Sequence, residues 1–313
     1  MALPLVGVDS VSKTFGRVRA VEAFSMEVGA GELVALVGPN GAGKTTMLRM
    51  IIGMLRPDSG RIAYGLDGSP SESVDSGRIG YLPEERGLYT DVPVRRVLIY
   101  FAALRGMGRP EAARQASHWL DRLDLGDRAG EPVGSLSKGN QQKVQFLSAI
   151  LHRPVLAVLD EPFSGLDPLN QEFFLDLIRE LRASGTTVLF SAHQMQLVER
   201  LADRVIVIRE GESLGQGTLE DWRRRWRTGL RLRLRLRETP DLAPLRSTPG
   251  VRDVQETPEG DLEVALEGDG ALGHLLQDIS RYHILELRTE EVTLHEIYLR
   301  AVGGEAGTME VEA

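Results

Sequence analysis

The chain has 313 residues and a net charge of −8, a length that favours two domains and a charge that argues against bulk attraction to nucleic acid. Its 42% apolar and 26% charged residues exclude a disordered or fibrous protein, and its longest apolar run, Val97–Leu104, is far shorter than the about 20 residues of a membrane-spanning helix. The absence of cysteine excludes disulfides, thiolate catalysis and Cys-ligated zinc, and with an N-terminus that lacks a secretory signal it fits a cytosolic protein.

Short β-type runs alternate with helical patterns through the first two hundred residues. The runs are rich in Val, Ile and Leu, which is typical of strands covered on both faces: Leu33–Val37, Arg78–Leu82, Val155–Leu159, Thr186–Phe190 and Val205–Ile208. Helical patterns such as Thr45–Ile52 and Gln171–Ala183 lie between them. This alternation predicts an α/β fold with a largely parallel sheet. Residues 92–150 hold helical segments and no convincing strand, so we expect a helical subdomain inserted in the α/β core.

The pattern changes after Gly217, and we expect a first domain over residues 1–217, a linker over 218–229 and a small α+β domain over 230–313. Leucine and arginine alternate strictly over 230–237, which predicts a strand with one apolar and one arginine face. Further elements of this domain follow from similar patterns: strands Val251–Gln255 and Leu262–Leu266, a helix Ala271–Tyr282, and a final helix begun by the capping box Thr293–Glu296.

A phosphate-binding loop follows the first buried strand. The segment Gly38-Pro39-Asn40-Gly41-Ala42-Gly43-Lys44-Thr45 matches the pattern G-x-x-x-x-G-K-[ST], and Thr46 comes next in the predicted helix. Glycines let backbone N–H groups converge on phosphate oxygens, and the N-terminus of the following helix adds partial positive charge. We expect Lys44 to reach the β- and γ-phosphates of a nucleotide and the Thr45 hydroxyl to ligate Mg²⁺.

Two carboxylates end a later buried strand. Asp160 and Glu161 follow Leu156–Leu159 directly, and such charges are costly at the end of a central strand unless a cation lies near them. A nucleotide-bound Mg²⁺ would supply that charge. We expect Asp160 to contact the metal through water and Glu161 to act as general base on the attacking water.

Three further segments resemble the ATP-binding cassette (ABC) ATPases. Leu136-Ser137-Lys138-Gly139-Asn140 is similar to the LSGGQ signature, Ser164–Asp167 to the D-loop, and His193 to the switch histidine. The resemblance covers about residues 3–217. It implies a P-loop NTPase core of the RecA type with a helical subdomain, ATP and Mg²⁺ as cofactors, and Phe15 as the aromatic residue that stacks on adenine.

The resemblance also implies the partners. Ser137 and Gly139 would bind the γ-phosphate held by the P-loop of a second copy in a head-to-tail dimer, and His193 would contact that phosphate and assist catalysis. A separate multi-span membrane permease would dock on the segment Glu84–Tyr100 and the helical subdomain, which would place the chain at the inner face of the cell membrane. A direct nucleic-acid partner is not expected.

Two positions depart from the family pattern. The signature has Lys138 and Asn140 where the family has glycine and glutamine, and Glu84 occupies the position of a family glutamine that contacts the metal-bound water. A carboxylate can accept a hydrogen bond there but cannot donate one as an amide does. Glu84, followed by Gly87-Leu88-Tyr89, resembles ABC subunits of the sodium-efflux and multidrug-export type, which also carry a C-terminal extension.

Two features of the sequence have more than one interpretation. Ile99 and Phe101 could pack in the core of the helical subdomain or join Leu88 and Tyr89 in a docking surface. The arginines of residues 223–237 could bind anionic lipid or nucleic acid, or they could pair with the many acidic residues that follow them.

The function that these residues favour is the ATP-hydrolysing subunit of a membrane exporter. A soluble ABC ATPase acting on the ribosome or on nucleic acid is the alternative, although the chain has one cassette and no long coiled coil. A non-catalytic nucleotide-dependent module is the third possibility, and the presence of Lys44, Asp160, Glu161 and His193 argues against it.

Overall fold

A computed structural model describes residues 4–85, 87–225, 230–237, 241–267, 270–290 and 292–303. The chain forms two compact units that divide between Thr218 and Leu219. The elements of each unit are given first, because their order places the candidate site.

The first unit contains strands and helices in alternation. Its strands are β1 (Val6–Phe15), β2 (Val18–Val28), β3 (Leu33–Val37), β4 (Ser59–Tyr64), β5 (Ile79–Leu82), β6 (Leu156–Leu159), β7 (Thr187–Ala192), β8 (Arg204–Arg209) and β9 (Glu212–Thr218). Its helices are α1 (Lys44–Ile51), α2 (Val94–Leu104), α3 (Arg109–Arg122), α4 (Lys138–Ile150), α5 (Pro168–Ala183) and α6 (Met195–Leu201), with short 3₁₀ turns at Gly126–Arg128 and Val133–Ser135.

A six-stranded sheet forms the centre of this unit, in the order β5-β6-β7-β3-β8-β9. The first five strands are parallel, and β9 is antiparallel to β8. Every residue of β3, β6 and β7 is buried, as expected for apolar strands covered on both faces. The carboxyl ends of β3, β6 and β7 therefore meet at one edge of the sheet, where ligands of parallel α/β folds bind.

A second, antiparallel sheet has the order β2-β1-β4 and was not expected from the sequence. Its apolar side chains join those of α1 and the central sheet in one core, with Phe24, Met47 and Leu36 all fully buried. Residues 92–150 form α2, α3, α4 and the two 3₁₀ turns without a strand, in agreement with the helical subdomain expected there.

The second unit is a small α+β domain. Its elements are α7 (Leu219–Arg225), β10 (Leu230–Leu236), α8 (Leu242–Arg246), β11 (Val251–Glu256), β12 (Leu262–Leu266), α9 (Ala271–Ile279), β13 (Ile284–Glu290) and α10 (Leu294–Gly303). The strands form one antiparallel sheet in the order β11-β12-β10-β13. Helix α7 occupies much of the segment that we expected to be a linker, and residues 226–229 lie outside the described residues.

Period-two alternation divides the faces of this sheet. Leu232 and Leu234 of β10 are buried in a core with Leu275 and Ile279 of α9. The arginines face the other side, where Arg231 pairs with Glu296, Arg233 with Asp261 and Glu259, and Arg235 with Asp261 and Glu286. The capping box is also present, because Thr293 Oγ1 accepts from the backbone N–H of Glu296 at 3.3 Å while the Glu296 side chain accepts from Thr293 N–H at 3.0 Å.

Candidate nucleotide site

The loop from Gly38 to Gly43 joins β3 to α1 at the carboxyl edge of the central sheet. Gly43 has a φ of 104°, and a Cβ there would lie 2.3 Å from the carbonyl oxygen of Ala20. A Cβ on Gly38 would lie 2.3 Å from the carbonyl oxygen of Ile208. Both positions therefore require glycine, and the tight loop leads directly into the N-terminus of α1.

A cavity of about 600 Å³ opens in front of this loop. The P-loop residues on its wall are Pro39, Asn40, Gly41, Gly43, Lys44, Thr45 and Thr46, and the others are Val18, Arg19, Ala20, Glu84, Glu161 and Glu210. Gly38 and Ala42 shape the loop from behind, and Ala42 is buried. Arg19 was not singled out in the sequence, and no motif would have marked this cation on β2 as part of the cavity wall.

Lys44 is buried and folds back over its own loop. Its ammonium donates to the carbonyl oxygens of Gly38 at 2.8 Å and Pro39 at 3.2 Å, and it lies 3.2 Å from Glu161 Oε1. A buried ammonium needs such partners to offset its lost hydration. Phosphate oxygens bound in the cavity would offer the same ammonium stronger, charge-assisted hydrogen bonds in place of the two carbonyls.

Asp160 lies at the end of β6, next to Thr45 at the start of α1. Its Oδ1 accepts from the hydroxyls of Ser191 at 2.7 Å and Thr45 at 3.2 Å, whereas its buried Oδ2 has no hydrogen-bond partner among the described residues. Burial and the charge of Glu161 raise the pKa of the Asp160 carboxyl, and the hydrogen bonds from Ser191 and Thr45 oppose that rise. A hydroxyl and a carboxylate with a spare oxygen form a donor set suited to Mg²⁺.

Glu161 adopts a backbone conformation that is rare for a side chain of its size, with a φ of 49°. Such strain costs on the order of 1 kcal/mol and persists only where surrounding contacts enforce it. The backbone N–H of Glu161 donates to Ser191 Oγ at 2.8 Å, and His193 Nδ1 lies 2.8 Å from Glu161 Oε2. The carboxylate is thereby held between Lys44 and His193, at the wall of the cavity.

Ser191 was missed at the level of the sequence, although it links both carboxylates. It is fully buried near the end of β7, donates to Asp160 and accepts from Glu161. The available signal was a hydroxyl at the carboxyl end of a buried strand, two residues before His193.

Glu84 lies on the cavity wall, on the loop after β5. The carbonyl oxygens on either side of it, those of Pro83 and Glu85, both accept from the side-chain amide of Gln145 at 3.1 and 2.9 Å. Gln145 belongs to α4 and is buried. No motif marks Gln145, although its amide holds the Glu84 loop against α4.

Besides Gly38 and Ala42, five expected site residues are absent from the cavity wall: Asp160 and His193, which contact Thr45 and Glu161 on that wall, and Phe15, Ser137 and Gly139. Ser137 is the N-cap of α4, accepting from Asn140 N–H at 3.4 Å, and Gly139 lies in the first turn of that helix, close to Asn170. Phe15 lies opposite Val18 in the β1–β2 hairpin, with the Lys13 ammonium 5.7 Å from its ring. The structure thus brings Lys44, Thr45, Glu84, Asp160, Glu161 and His193 together and leaves Phe15, Ser137 and Gly139 outside that group.

Known proteins agree with this geometry. Residues 21–164 match the ABC transporter family, and residues 217–302 match the C-terminal domain of DrrA1-3-like ATP-binding proteins. The ABC transporter ATP-binding protein YhaQ of Bacillus subtilis is 39% identical over 96% of this chain and 99% of its own length. The chain belongs to the ABC transporter ATP-binding proteins.

Two more comparisons support this assignment. The Nod factor export ATP-binding protein I of Burkholderia lata is 37% identical over 69% of this chain and 72% of its own length. A solved ATP-binding subunit of an ABC transporter is 32% identical and superposes with a TM-score of 0.63 over 71% of this chain and 93% of its own. The cassette is therefore an ATP-binding P-loop ATPase with the α/β fold expected from the sequence. Among the described residues, no helix combines the length and apolarity needed to cross a bilayer.

Proposed function

We propose that this chain hydrolyses Mg²⁺-ATP as a head-to-tail dimer and thereby drives a separate multi-span membrane subunit, acting as the ATPase of an exporter at the inner face of the cell membrane. The observation that supports ATP hydrolysis is that Lys44 and Glu161 lie together on the wall of the nucleotide cavity, with His193 in contact with Glu161. A cleft beside the Glu84 loop supports the proposal that a membrane subunit docks on this chain.

The geometry supports a role in this reaction for each of these side chains. Lys44 would bind the β- and γ-phosphates in place of its loop carbonyls. Thr45 and Asp160 would hold Mg²⁺, which would neutralise phosphate charge. Glu161 accepts the proton of the attacking water, since its carboxylate lies on the cavity wall. His193 orients that carboxylate through Nδ1. Glu84, at the same wall, is placed to accept from a metal-bound water.

The second copy completes the site in this proposal. Ser137 and Gly139 lie at the N-terminus of the 13-residue helix α4, whose partial positive charge suits a phosphate. Because they do not line the cavity of their own chain, we assign them to the γ-phosphate bound by the partner. Phe15, at the exposed tip of its hairpin, is assigned to the adenine ring.

The cleft for the membrane subunit has a volume of about 290 Å³ and lies between the Glu84 loop and the helical subdomain. Leu88 and Phe101 line it, and Phe101 contacts the exposed rings of Tyr89 and Tyr100, with centroids 6.1 and 5.6 Å away. The cleft also contains His152, whose buried Nδ1 has no hydrogen-bond partner within the described part of the chain. An apolar groove with an unused polar group fits a helix of a partner protein.

Export is favoured over import because the Burkholderia relative is named for export. The ribosome or nucleic-acid alternative would need basic side chains free to contact phosphate. The three arginines of β10 instead pair with acidic residues of their own domain, which argues against this strand as a phosphate-binding surface.

The test is affinity purification of the tagged Glu161→Gln chain from its own membranes in mild detergent with ATP. We expect a multi-span membrane protein to be retained. Tyr100→Asp should lower its recovery at least about tenfold, because it places a charge on the exposed aromatic cluster that adjoins the cleft at Phe101, whereas Leu276→Asp, at an exposed leucine of the C-terminal domain, should not.

Recovery of ribosomes or nucleic acid without a membrane protein would favour the alternative. Equal loss of the membrane protein in Tyr100→Asp and Leu276→Asp would contradict the assignment of the cleft.

A further inference from the structure

The two edges of the C-terminal sheet differ in chemistry. Edge strand β11 exposes polar residues, including Arg252, Asp253 and Glu256, and its Val254 is buried. The opposite edge strand, β13, exposes Ile284, Leu285 and Leu287 at 38, 53 and 41%. Sheet edges that remain in water are normally guarded by charge, and an apolar edge favours pairing with another strand. β13 also carries charge at Glu286 and Arg288, but unlike β11 it exposes three large apolar side chains, and this contrast favours β13 over β11 as the edge that a partner covers.

β13 presents a strand that is ready for pairing. Among the strands described, it pairs with β10 alone, in a regular antiparallel register from Arg231 opposite Glu290 to Arg235 opposite Glu286. A bulge at Leu285 then shifts the register, so that Leu236 lies opposite Ile284. Residues 286–290 therefore form a straight edge segment, with Leu287 on the apolar face of the sheet and Glu286 and Arg288 on its polar face.

The charges of this segment select one kind of occupant and one register. Two copies of β13 can pair about a two-fold axis so that the apolar faces of the two sheets are continuous. The axis must then pass between the two copies of one residue, which lie opposite each other. An axis at Glu286 places two glutamates opposite each other, and an axis at Arg288 places two arginines together. An axis at Thr289 pairs Arg288 with Glu290 but uses only the last three residues of β13 and leaves Glu286 without an opposite charge. An axis at Leu287 uses the whole segment and places Glu286 of each copy opposite Arg288 of the other.

We propose that β13 is a second homodimer interface, in which β13 of two copies pairs antiparallel about Leu287. Two cross-strand Glu286–Arg288 pairs lie on the polar face, and the leucines meet on the apolar face. This joins the two four-stranded sheets into one sheet of eight strands. The residues of this interface belong to the second unit and those of the nucleotide site to the first, and the pairing requires no ATP.

The neighbouring charges fit this arrangement. Within one chain Glu286 already lies 3.7 Å from Arg235 on the adjacent strand, and it also pairs with Arg288. Across the interface the row continues from Arg235 through Glu286 to the partner's Arg288. Each Arg288 also lies opposite Arg233 of its own chain, whose charge is paired with Glu259 and Asp261. Each cross-strand pair contributes modestly, and a change from unlike to like charge reverses its sign in both symmetric copies.

The experiment measures the mass of the full-length chain in solution without nucleotide, for single and mixed charge-reversal variants. The wild type should be dimeric. Glu286→Arg and Arg288→Glu, each alone, should weaken self-association at least about tenfold. The double variant should recover the dimer. An equimolar mixture of the two single variants should form a heterodimer, because each cross-strand pair is then again Glu with Arg.

The control reverses charges on the polar edge, with Arg252→Glu and Glu256→Arg on β11, and should leave the dimer intact. A monomeric wild type without nucleotide would overturn the proposal, as would a dimer that persists in both single variants. Failure of the two single variants to associate on mixing would overturn the register. ATP hydrolysis measured on the same samples separates these outcomes from a failure of the proposed catalytic function.

Discussion

The nucleotide site and the arginine strand both concentrate charge, yet they satisfy it differently. In the nucleotide site, Asp160 keeps a buried oxygen without a partner among the described residues, and Lys44 rests on two carbonyls of its own loop. On β10, Asp261 is buried against Arg233 and Arg235 and accepts hydrogen bonds from both guanidinium groups. The Arg235 guanidinium lowers the pKa of that carboxyl.

The nucleotide site has polar groups that a ligand can satisfy, whereas the charges around β10 satisfy one another and stabilise their own domain. Incompletely satisfied buried groups are costly, and a fold retains them where a ligand supplies the missing partner. Satisfied clusters of the same composition need no ligand. Charge density in the sequence could not make this distinction, whereas the pairing of individual atoms does.

The largest effect is expected from Lys44→Ala. Removing the ammonium should lower ATP turnover at least about 100-fold and weaken ATP binding, because the phosphates lose their buried cation. Both quantities are measured by phosphate release and by titration with a fluorescent ATP analogue. Lys143→Ala is the matched control, since the Lys143 ammonium packs over the Phe173 ring at 4.7 Å, and it should change turnover less than about twofold. Equal losses in the two variants would contradict the role of Lys44.

A smaller effect is expected from Ser191→Ala. The substitution leaves Asp160 Oδ1 and the Glu161 N–H without their shared hydroxyl, so we expect turnover to fall about 10- to 100-fold while ATP affinity changes little. Ser191→Thr, which keeps the hydroxyl, should recover part of the rate. Ser148→Ala is the control, because Ser148 donates only to a backbone carbonyl of its own helix. A loss of affinity that matches the loss of turnover would show that Ser191 does not act on catalysis through Glu161.

The next prediction concerns the pH dependence of stability. It tests whether His152, whose Nδ1 has no partner among the described residues, is an unsatisfied buried group outside the nucleotide site. Burial lowers the pKa of His152 to about 4, whereas the unfolded chain has a value near 6.5. The unfolded state therefore binds more protons between these values, and stability should fall as the pH drops from about 6.5 to 4, by up to about 2 kcal/mol. In His152→Phe this contribution should disappear from denaturant titrations, while His118→Phe, at an exposed ring, should keep it. Parallel pH profiles for wild type and His152→Phe would contradict the assignment.

The smallest effect on catalysis is expected from Asp261→Asn. It removes the shared partner of Arg233 and Arg235, so the C-terminal domain should unfold at lower temperature in calorimetry. ATP turnover should change less than about twofold, because the cluster takes no part in the site. A large fall in turnover with an unchanged melting profile would mean that the arginine strand acts in function and not in stability.

The sequence predicted the elements whose patterns are local. The buried apolar runs located β3, β5, β6, β7 and β8 within two residues, and the G-x-x-x-x-G-K-[ST] spacing located the P-loop. The alternation of residues 230–237 identified β10 and its arginine face. These signals are strong because glycine spacing and apolar periodicity depend only on neighbours along the chain.

The missed features depend on contacts between distant segments. The antiparallel sheet β2-β1-β4 was not predicted because its strands pair residues as far apart as Val6 and Tyr64 and carry register shifts that interrupt alternation. The roles of Ser191 and Gln145 depend on hydrogen bonds with distant residues. Ser191 bonds to Glu161, 30 residues away, and Gln145 bonds to Pro83 and Glu85, about 60 residues away. No periodic pattern records such a pairing, so it became visible only in the fold.

The central claim is that Glu161 is the base of an ATP-hydrolysing site, and it is tested most directly by Glu161→Gln. Glu210→Gln is the control, because Glu210 also lines the nucleotide cavity. We expect phosphate release to fall at least about 100-fold in Glu161→Gln, with ATP remaining bound in a dimer, and to stay near the wild-type rate in Glu210→Gln. Wild-type turnover in Glu161→Gln would contradict the account.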